Sequence, residues 1–570
     1  MKTTALRSTL VFGLLFAAPL AGCGLVYGLG DFRIDDALTS EGGGPDAMAE
    51  GGEAAPPECT TNAECTTRAT AAGPVDAGAG VDGGPVGVLE GGTAPAMCVK
   101  PEGRCVRLLT RDCPSVLGDY ANDDAILLGT LFTLSGATTG TNTARQQSAL
   151  LAAEEINSSL GGSGIPPAKG STTARPLVVL SCDESQELVR VGTHLLKDLH
   201  VAGIVGPNTS QDTLDLTTKL VANNDSLIMS PTAVAAGISG LPDKQLAWRN
   251  IPSDTPRGKL MIQQLNALED GLKANTLPLP AQTATRPGPL KLGIVYRDDA
   301  QGQSNFGAIS ADLQWNGAGL SAASNAAYVK ISRYNPSNAV VDTASIVADF
   351  VAAKPDVIAV FGTAESITGF LVPYEKALET AAPGGVKPYY MLIDSNKIKE
   401  LLDGTVAAGV PANLRVRLRG VGVTSEAAAL PVLNAFNSAY TARYGTNPRV
   451  SGMGQSYDAM YALALGLAAT TDQRPTGTAI AKGLGFLGDG QDVVIGQGNV
   501  RTAFQQLANG THITVRGTFS EFRWDANGDL AGGLVEMWCV SGGTPNFFAS
   551  SGLLFDVATL TASGGYVPCP

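Results

Sequence analysis

The sequence predicts an α/β protein with two lobes, preceded by an N-terminal extension rich in glycine, alanine and cysteine. From Ala125 onward, short apolar runs rich in β-branched residues alternate with helical patterns, which is typical of parallel βαβ construction. This alternation continues for about 450 residues, which is more than one compact core usually holds. Two stretches before it contain almost no large apolar side chains, so they cannot bury enough surface to offset the entropy of ordering.

Short apolar runs predict the strands. They cover 126–132, 176–181, 201–205, 226–229, 290–296, 356–361, 388–393 and 419–424. A Gly/Thr loop and a helix over about 143–157 follow the first run. The helical pattern after the second run places Leu188, Val191, Leu195 and Leu199 on one face, which would pack against a sheet.

The first residues indicate export. Two basic residues precede an uncharged stretch over 8–20, which is too short to span a bilayer as a mature helix. The stretch ends in a Leu-Ala-Gly-Cys sequence that resembles the lipobox of bacterial lipoproteins, in which the cysteine carries a diacylglycerol. We therefore expect a signal peptide over 1–22, lipidation of Cys23 and a lipidated flexible tether over 23–57. An ordinary signal peptide that leaves Cys23 as a spare thiol is the alternative.

Cysteine usage predicts disulfides. Eight cysteines remain besides Cys23, an even number for an oxidising compartment. A small Cys-rich module over 58–113 contains a low-complexity insert over 71–96. Cys59 and Cys65 precede the insert, Cys98 and Cys105 follow it, and three pairings among these four are open. The simplest interpretation of the module is a spacer between the membrane and the working domain.

The other four cysteines allow specific expectations. Cys539 and Cys569 are the only late cysteines, so we expect them to pair and hold the tail to the second lobe. We expect Cys113 to pair with Cys182. Zinc is the competing interpretation, but no C-x-x-C pair occurs and the chain has only three histidines. We therefore predict no metal site.

Charge and motifs argue against nucleic acid binding and catalysis. The chain has 39 basic and 52 acidic residues, a net charge of −13, which opposes binding to a phosphate backbone. The sequence at 483–488 matches G-x-G-x-x-G, but it follows a helical pattern where a dinucleotide site needs a strand. Because no nucleophile elbow, H-E-x-x-H or P-loop occurs, we predict no catalytic residues and no cofactor. A hydrolase that uses carboxylate side chains for catalysis is the alternative.

Five segments together carry a resemblance to a known family. They are 129–136 with the following helix to Asn157, 204–210, 228–233, 457–463 and 517–529. In their order and spacing these segments resemble the type I periplasmic binding proteins, and in particular the leucine/isoleucine/valine-binding branch of ABC transporter substrate-binding lipoproteins. The resemblance extends over roughly 121–540.

The resemblance implies two Rossmann-like lobes joined by three crossovers, which we place near Ser253, Thr424 and Leu530. The first lobe would contain 121–254 and 425–529. The second lobe would contain 255–424 and 530–570. A solute would bind between the lobes, where loops leave the carboxyl ends of the strands.

A free amino acid needs donors for its carboxylate and acceptors for its ammonium group, because unpaired dehydrated charges are costly. Ser210 lies where the third predicted strand gives way to a helix, and the resemblance assigns a solute-binding serine to this place. Thr209, Thr232 and Ala233 would add a hydroxyl or an amide, and Ser135 lies in the loop after the first strand. A helix cap without any contact to a ligand is the alternative for Ser210.

For the ammonium group, the resemblance implies an acidic residue after a strand of the second lobe. Asp394 occupies that place, and Glu365 is a second candidate one strand earlier. Both could instead be ordinary helix-capping acids. The sequence departs from the family where aromatic side chains often contact the amino acid, because Gln301, Thr363 and Ala364 stand there. The ligand could therefore be another small amide, carboxylate or polyol.

Taken together, these observations predict an exported protein, anchored by lipid to a bacterial membrane and facing the periplasm or the cell surface. We expect no other membrane contact, since no second long apolar run occurs. It would bind a small polar solute such as an amino acid and deliver it to an ABC permease without catalysing a reaction. A surface interaction protein and a sensory receptor with the same fold are the alternatives.

Overall fold

The computed structural model describes residues 57–72, 92–100, 102–136, 138–159, 164–185, 187–277, 288–471 and 474–570. The predicted signal peptide, Cys23 and the predicted tether up to residue 56 lie outside the described residues. Most of the low-complexity insert, residues 73–91, lies outside them as well.

Twenty strands, numbered in chain order, are present in the described ranges. They are β1 (Ala96–Val99), β2 (Arg104–Arg107), β3 (Ser115–Leu117), β4 (Ile126–Phe132), β5 (Leu177–Asp183), β6 (Gly203–Val205), β7 (Leu227–Ser230), β8 (Ala247–Arg249), β9 (Leu292–Arg297), β10 (Gln314–Trp315), β11 (Ala318–Gly319), β12 (Val329–Tyr334), β13 (Val357–Phe361), β14 (Tyr389–Leu392), β15 (Leu418–Thr424), β16 (Leu487–Val494), β17 (Ile513–Arg516), β18 (Leu534–Ser541), β19 (Phe547–Asp556) and β20 (Thr561–Ser563).

The α-helices are numbered in the same way. They are α1 (Asn62–Ala71), α2 (Thr139–Ser158), α3 (Leu188–Thr193), α4 (Ser210–Leu216), α5 (Ala222–Asn224), α6 (Asp254–Ala274), α7 (Ala300–Ser310), α8 (Ala339–Ala353), α9 (Val372–Ala381), α10 (Lys399–Thr405), α11 (Leu414–Arg417), α12 (Leu430–Tyr444), α13 (Met453–Thr470), α14 (Gly477–Leu484) and α15 (Val500–Ala508).

The first large sheet has six strands in the order β3-β5-β4-β6-β7-β8. The last five of these run parallel, and β3 pairs with β5 in the antiparallel direction. Every residue of β4 is buried, as expected for a strand covered by helices on both faces. The bounds predicted for β4 match the structure, because its apolar run ends sharply on both sides.

The second large sheet has eight strands in the order β12-β9-β13-β14-β15-β18-β19-β20. Its first five strands are parallel, and β18 to β20 extend it as an antiparallel meander. The pattern of two mainly parallel sheets confirms the α/β fold class. It also agrees with the expected pair of Rossmann-like lobes.

Chain segments far apart in sequence share the core of the first sheet. Apolar residues of β4 to β7 pack in one cluster with residues between Val432 and Phe522. Helix α13 is buried along nearly its whole length, because it is rich in small and apolar residues that let neighbouring helices approach closely. The exact boundaries of the lobes stay a prediction.

The Cys-rich module consists of α1, β1 and β2. Disulfides join Cys59 to Cys98 and Cys65 to Cys105, one of the three pairings that the sequence leaves open. The module packs on the first sheet, since Met97, Val99 and Val106 belong to the same apolar cluster as residues of β4 and β5. It is therefore an integral part of the folded body.

Two further disulfides are present. Cys113 is bonded to Cys182 in β5, and Cys539 in β18 is bonded to Cys569 in the tail. Both pairs are the ones that the sequence predicts. Among the described residues, no helix is both long enough and apolar enough to cross a membrane.

Candidate functional site

Loops that follow the carboxyl ends of the strands in both large sheets contact each other. The backbone N–H of Ala236, which follows β7, donates to Ser304 Oγ in α7 at 2.9 Å. The N–H of Ala300 donates to Gln211 Oε1 in α4 at 3.3 Å. Since α4 follows a strand of the first sheet and α7 follows a strand of the second, these contacts bring the two sets of strand ends together. Ligands of open α/β sheets bind at such edges.

Ser210 is the first residue of α4 and is 4 % exposed. Its Oγ accepts hydrogen bonds from the backbone N–H groups of Val234 and Ala235, each at 3.1 Å. These two contacts use both lone pairs of the oxygen and leave the hydroxyl proton for donation. The helix cap is Thr209, whose Oγ1 accepts from Asp212 N at 3.1 Å. Ser210 is therefore not the capping residue that the alternative interpretation supposes.

The neighbouring candidates are bonded within their own loops. Thr209 Oγ1 donates to Asp212 Oδ2 at 2.6 Å, and Thr232 Oγ1 donates to the carbonyl oxygen of Asn208 at 2.6 Å. Ala233 is fully buried, and its N–H donates to Ser230 Oγ at 3.1 Å. Because each of these donors has a partner, the loops hold a defined shape before any ligand arrives.

Ser135 lies in the loop after β4, where its Oγ is 2.6 Å from Ser185 Oγ. This places it between the loops that follow β4 and β5. In the second sheet, Gln301 Nε2 donates to Ser395 Oγ, so its amide is engaged in a contact within that sheet's loops.

Glu365 is held in a dense polar cluster. Tyr334 Oη donates to its Oε1 at 2.8 Å, and Arg297 Nη1 lies 3.2 Å from the same oxygen. Burial acts to raise the pKa of Glu365, but Arg297 and the hydroxyl of Thr363 outweigh it, so the pKa is lowered overall. The carboxylate is therefore satisfied within its own set of loops.

Asp394 follows β14 and is in a different situation. Its side chain is 8 % exposed, and its Oδ1 has no hydrogen-bond partner among the described residues. Within the described part of the chain, its Oδ2 accepts one long hydrogen bond, of 3.5 Å, from Ser451 Oγ. A buried carboxylate normally has several donors, so Asp394 is an under-satisfied acceptor, as is the buried Asp254, whose Oδ1 also has no hydrogen-bond partner among the described residues.

Arg145 in α2 is a charged group at the site that was not among the predicted site residues. Its Nε donates to the carbonyl oxygen of Ser451 at 2.7 Å, and its Nη1 donates to Asn142 Oδ1 at 2.9 Å and Asn208 Oδ1 at 3.0 Å. Burial lowers the pKa of Arg145 to about 10, and the attraction of Asp394 opposes that shift. The guanidinium and the carboxylate therefore lie in one neighbourhood, one presented by each sheet.

The acidic groups beside Arg145 are strongly dehydrated. Glu184, after β5, accepts from Thr133 Oγ1 at 2.9 Å and from Asn208 N at 3.3 Å. Burial, followed by repulsion from Asp212, raises the pKa of Glu184 well above its ordinary value. The region is thus a low-dielectric environment in which charge pairing carries unusual weight.

A cavity of about 390 Å³ opens beside Asp394. Its volume is in the range of small-molecule sites. It is lined by Asp394, Lys397, Leu402, Val423, Ser425, Leu433, Phe436, Asn437, Arg449, Val450, Ser451, Gly452, Met453, Gly454, Gln455, Thr518, Phe519, Phe547 and Phe548.

The cysteine cluster and the three histidines have their contacts outside the loops described above. The Sγ atoms of Cys59, Cys65 and Cys98 lie within 4.8 Å of one another, but all three are disulfide-bonded and offer no thiolate. The ring nitrogen Nε2 of His194 lies 3.0 Å from the Leu108 carbonyl oxygen, and His512 Nδ1 lies 2.6 Å from an Asp489 oxygen. The third histidine, His200, lies 3.6 Å from Glu102 Oε1.

Comparison with solved structures identifies the fold. The chain is similar to the branched-chain amino acid transporter substrate-binding protein LivJ from Streptococcus pneumoniae in complex with isoleucine, with a TM-score of 0.50, 16% identity, and coverage of 75% of this chain and 99% of that chain. It is also similar to a solute-binding protein of an ABC transporter from Rhodopseudomonas palustris BisB5 in complex with 3,4-dihydroxybenzoic acid, with a TM-score of 0.52, 13% identity, and coverage of 76% and 98%.

The fold is that of the type I periplasmic binding proteins, as the sequence analysis expects. A scan against protein-family models finds no matching model, and a search of curated proteins finds no match.

Proposed function

We propose that this protein is a lipid-anchored, extracytoplasmic solute-binding protein that captures a small polar ligand for an ABC importer. The ligand would be an amino acid or a related amide or carboxylate. One observation supports the proposal most directly: Arg145 and Asp394 bring opposite charges from the two sheets to one place at the strand ends. The fold supports it as well, because both neighbours described above are solute-binding proteins.

The two charges suit the two ends of a zwitterion. Asp394 Oδ1 has no partner among the described residues and would accept from an ammonium group. Arg145 and the hydroxyl proton of Ser210 would donate to a carboxylate, because a guanidinium makes strong charge-assisted hydrogen bonds. The residues at 206–210 and 231–235 shape this side, and Gln301 and Ser395 border the other. Thr209, Thr232, Ala233, Ser135 and Glu365 support the loops through the contacts given above.

Ligand capture would proceed by hinge closure. The chain would pass between the lobes near Ser253, Thr424 and Leu530, and movement about these three segments would open the strand ends to solvent. The contacts of Ala236 with Ser304 and of Ala300 with Gln211 would hold the closed form. No reaction is part of this function.

A thermal-shift screen tests the proposal on the purified full-length protein in detergent. The panel is the twenty amino acids, their amides, benzoate and 3,4-dihydroxybenzoate at millimolar concentration. We expect at least one compound to raise Tm, since ligand at 100 times Kd stabilises the folded state by about 2.7 kcal/mol. We expect Asp394→Asn to lose this response. Arg443→Ala, at an exposed ion pair with Glu154, is the matched control and should keep it. A panel without any stabilising member would contradict the proposal.

The lipid anchor has its own test. Expression with a radiolabelled fatty acid should label the wild-type chain, and Cys23→Ser should abolish the label and move the protein to the soluble extracytoplasmic fraction. Label that persists in Cys23→Ser would contradict lipidation at this residue.

A receptor without a transport role is the second candidate. The direct hydrogen bonds between loops of the two sheets favour it, because such contacts would also stabilise a permanently closed body that presents a surface to a partner protein. In that case Asp394→Asn and Arg145→Ala should leave partner binding unchanged, and no small solute should raise Tm.

A further inference from the structure

A second cavity, also of about 390 Å³, lies at the opposite edge of the first sheet. Residues within 97–100, 123–127, 168–175, 199–202 and 474–475 line it, and we call it the amino-edge cavity. Its lining combines the Cys-rich module with the segments that lead into β4, β5 and β6. Because the candidate site lies at the carboxyl ends of the strands, the two cavities are separate.

The Cys-rich module builds one wall of the amino-edge cavity. Cys98 in β1 is disulfide-bonded to Cys59. Asn62 connects β1 to the approach to β4, since its Oδ1 accepts from Cys98 N at 3.0 Å and its Nδ2 donates to the Asn122 carbonyl oxygen at 2.8 Å. A covalent bond and hydrogen bonds on both sides therefore hold this wall in place.

The buried part of the lining is largely apolar. Met97 and Val99 of the module face Leu127 and Leu199 of the first lobe, and each of the four is 9 % exposed or less. All four belong to one buried apolar cluster. An apolar part of a ligand would therefore be removed from water at this floor.

The charged lining residues are mainly basic. Lys100 and Arg474 are exposed at the rim and have no hydrogen-bond or ion-pair partner among the described residues. Arg175 is 4 % exposed, and its Nε donates to the Pro166 carbonyl oxygen at 2.9 Å. The cavity thus brings three permanent cations together in a chain whose net charge is −13.

Two acidic residues also line the rim. Asp123 Oδ1 already accepts a hydrogen bond from Asn62 N at 2.7 Å, and Asp124 is exposed to water. The two acids offset part of the positive charge, but the permanent cations outnumber them. An anionic group is therefore better matched to this rim than a cationic one.

We propose that the amino-edge cavity is a second ligand site, which binds a small organic carboxylate with an apolar body. The apolar body would lie against Met97, Val99 and Leu127. The carboxylate would pair with Lys100 and Arg474 at the rim. The site uses none of the residues that the proposed function assigns to solute capture, and it does not depend on that function.

Photo-crosslinking with 4-benzoylbenzoate tests the proposal on the purified full-length protein in detergent. This probe joins a carboxylate to an apolar aromatic body, and 4-benzoylbenzylamine has the same body with a positive charge. Mass spectrometry of peptides locates the adducts. We expect the carboxylate to label residues within 97–100, 123–127 or 199–202, and we expect the amine to label them much less. An excess of hexanoate should compete with this labelling.

Variants of the rim test the two cations. The double variant Lys100→Gln, Arg474→Gln should need roughly threefold to tenfold more probe for half-maximal labelling, because exposed charge pairs contribute modestly. Lys219→Gln is the matched control, since Lys219 is an exposed lysine after β6 that does not line the cavity. Asp394→Asn should leave the labelling unchanged. The Tm of each variant without probe establishes that it is folded.

The outcomes separate this site from the proposed function. Adducts confined to the loops around Asp394, no adducts, equal labelling by amine and carboxylate, or unchanged labelling in the double variant would each overturn the second site while solute capture stands. If the amino-edge peptides are labelled as expected and no solute raises Tm in the screen, the second site stands and the proposed function alone fails.

Discussion

The two sides of the candidate site differ in how far their polar groups are satisfied. On the first sheet, Ser210 Oγ accepts hydrogen bonds from two backbone amides. The hydroxyl groups of Thr209 and Thr232 donate hydrogen bonds within the same loops. On the second sheet, Asp394 has one long contact and one oxygen without a partner among the described residues. The first side is therefore a preorganised frame, and the second side supplies a group whose partner would come from a ligand.

The largest expected effect is a loss of solute affinity when Arg145, the positive group that faces Asp394, is removed. Arg145→Met should weaken binding of the solute found in the screen by roughly 100-fold to 1000-fold, because truncating one partner of a buried charge pair costs about 3 to 4 kcal/mol. Isothermal titration measures the loss. Loss of less than threefold would show that Arg145 holds Ser451 and Asn208 in place without contributing to affinity.

A second experiment tests the preorganised loops of the first sheet. Ser210→Ala removes the acceptor of two buried amides, Val234 N and Ala235 N, and should lower the free energy of unfolding by about 2 kcal/mol. Urea denaturation measures it, with Ser438→Ala on the exposed face of α12 as control. If the two variants are equally stable, the Ser210 hydroxyl does not order this loop.

The pH dependence of the free energy of unfolding tests a buried carboxyl group, Asp458, whose partner Thr518 lines the cavity beside Asp394. Burial raises the pKa of Asp458 to about 7, against hydrogen bonds from Thr518 that lower it. Because the folded pKa exceeds the unfolded value, the stabilising contribution is complete below about pH 4 and is lost as the pH rises through 7. We expect the wild-type protein to lose roughly 2 to 4 kcal/mol more than Asp458→Asn over this window. Parallel pH profiles of the two proteins would contradict the expectation.

The smallest expected effect comes from removing an ion pair on the protein surface. Arg443→Ala removes an exposed ion pair with Glu154, in which Nε lies 2.8 Å from Oε2. Exposed pairs contribute at most about 1 kcal/mol, so unfolding and ligand affinity should both stay close to wild type. A large change in affinity would show that α12 and α2 transmit strain to the site.

The sequence allowed the fold to be predicted because its strongest signals are local. The apolar run at 126–132 and the helix after it depend on neighbouring residues, and the structure has both. Asp394 was a candidate through the resemblance, which implies an acidic residue after a strand of the second lobe, and the structure has it directly after β14. Its lack of hydrogen-bond partners could not be foreseen, since that depends on which side chains from other segments approach it.

Arg145 shows where sequence reasoning stops. Its main partner, the Ser451 carbonyl, is 306 residues away in the chain, so no local pattern connects them. The available signal was a single arginine in α2 between the buried residues Ala144 and Gln146. The pairing of Cys59 with Cys98 was open for the same reason, because it depends on how α1 and β1 pack.

The Cys-rich module and the candidate site lie at opposite edges of the first sheet, so an attachment at the module does not reach the site. Asn62 bonds to the Asn122 carbonyl and to Asp123, just before β4 begins, whereas the candidate site begins just after β4 ends. Seven residues of strand separate the two places by about 23 Å. Mechanical load or a bound partner at the module therefore acts on the amino edge of the sheet and leaves the candidate site at the carboxyl edge unobstructed.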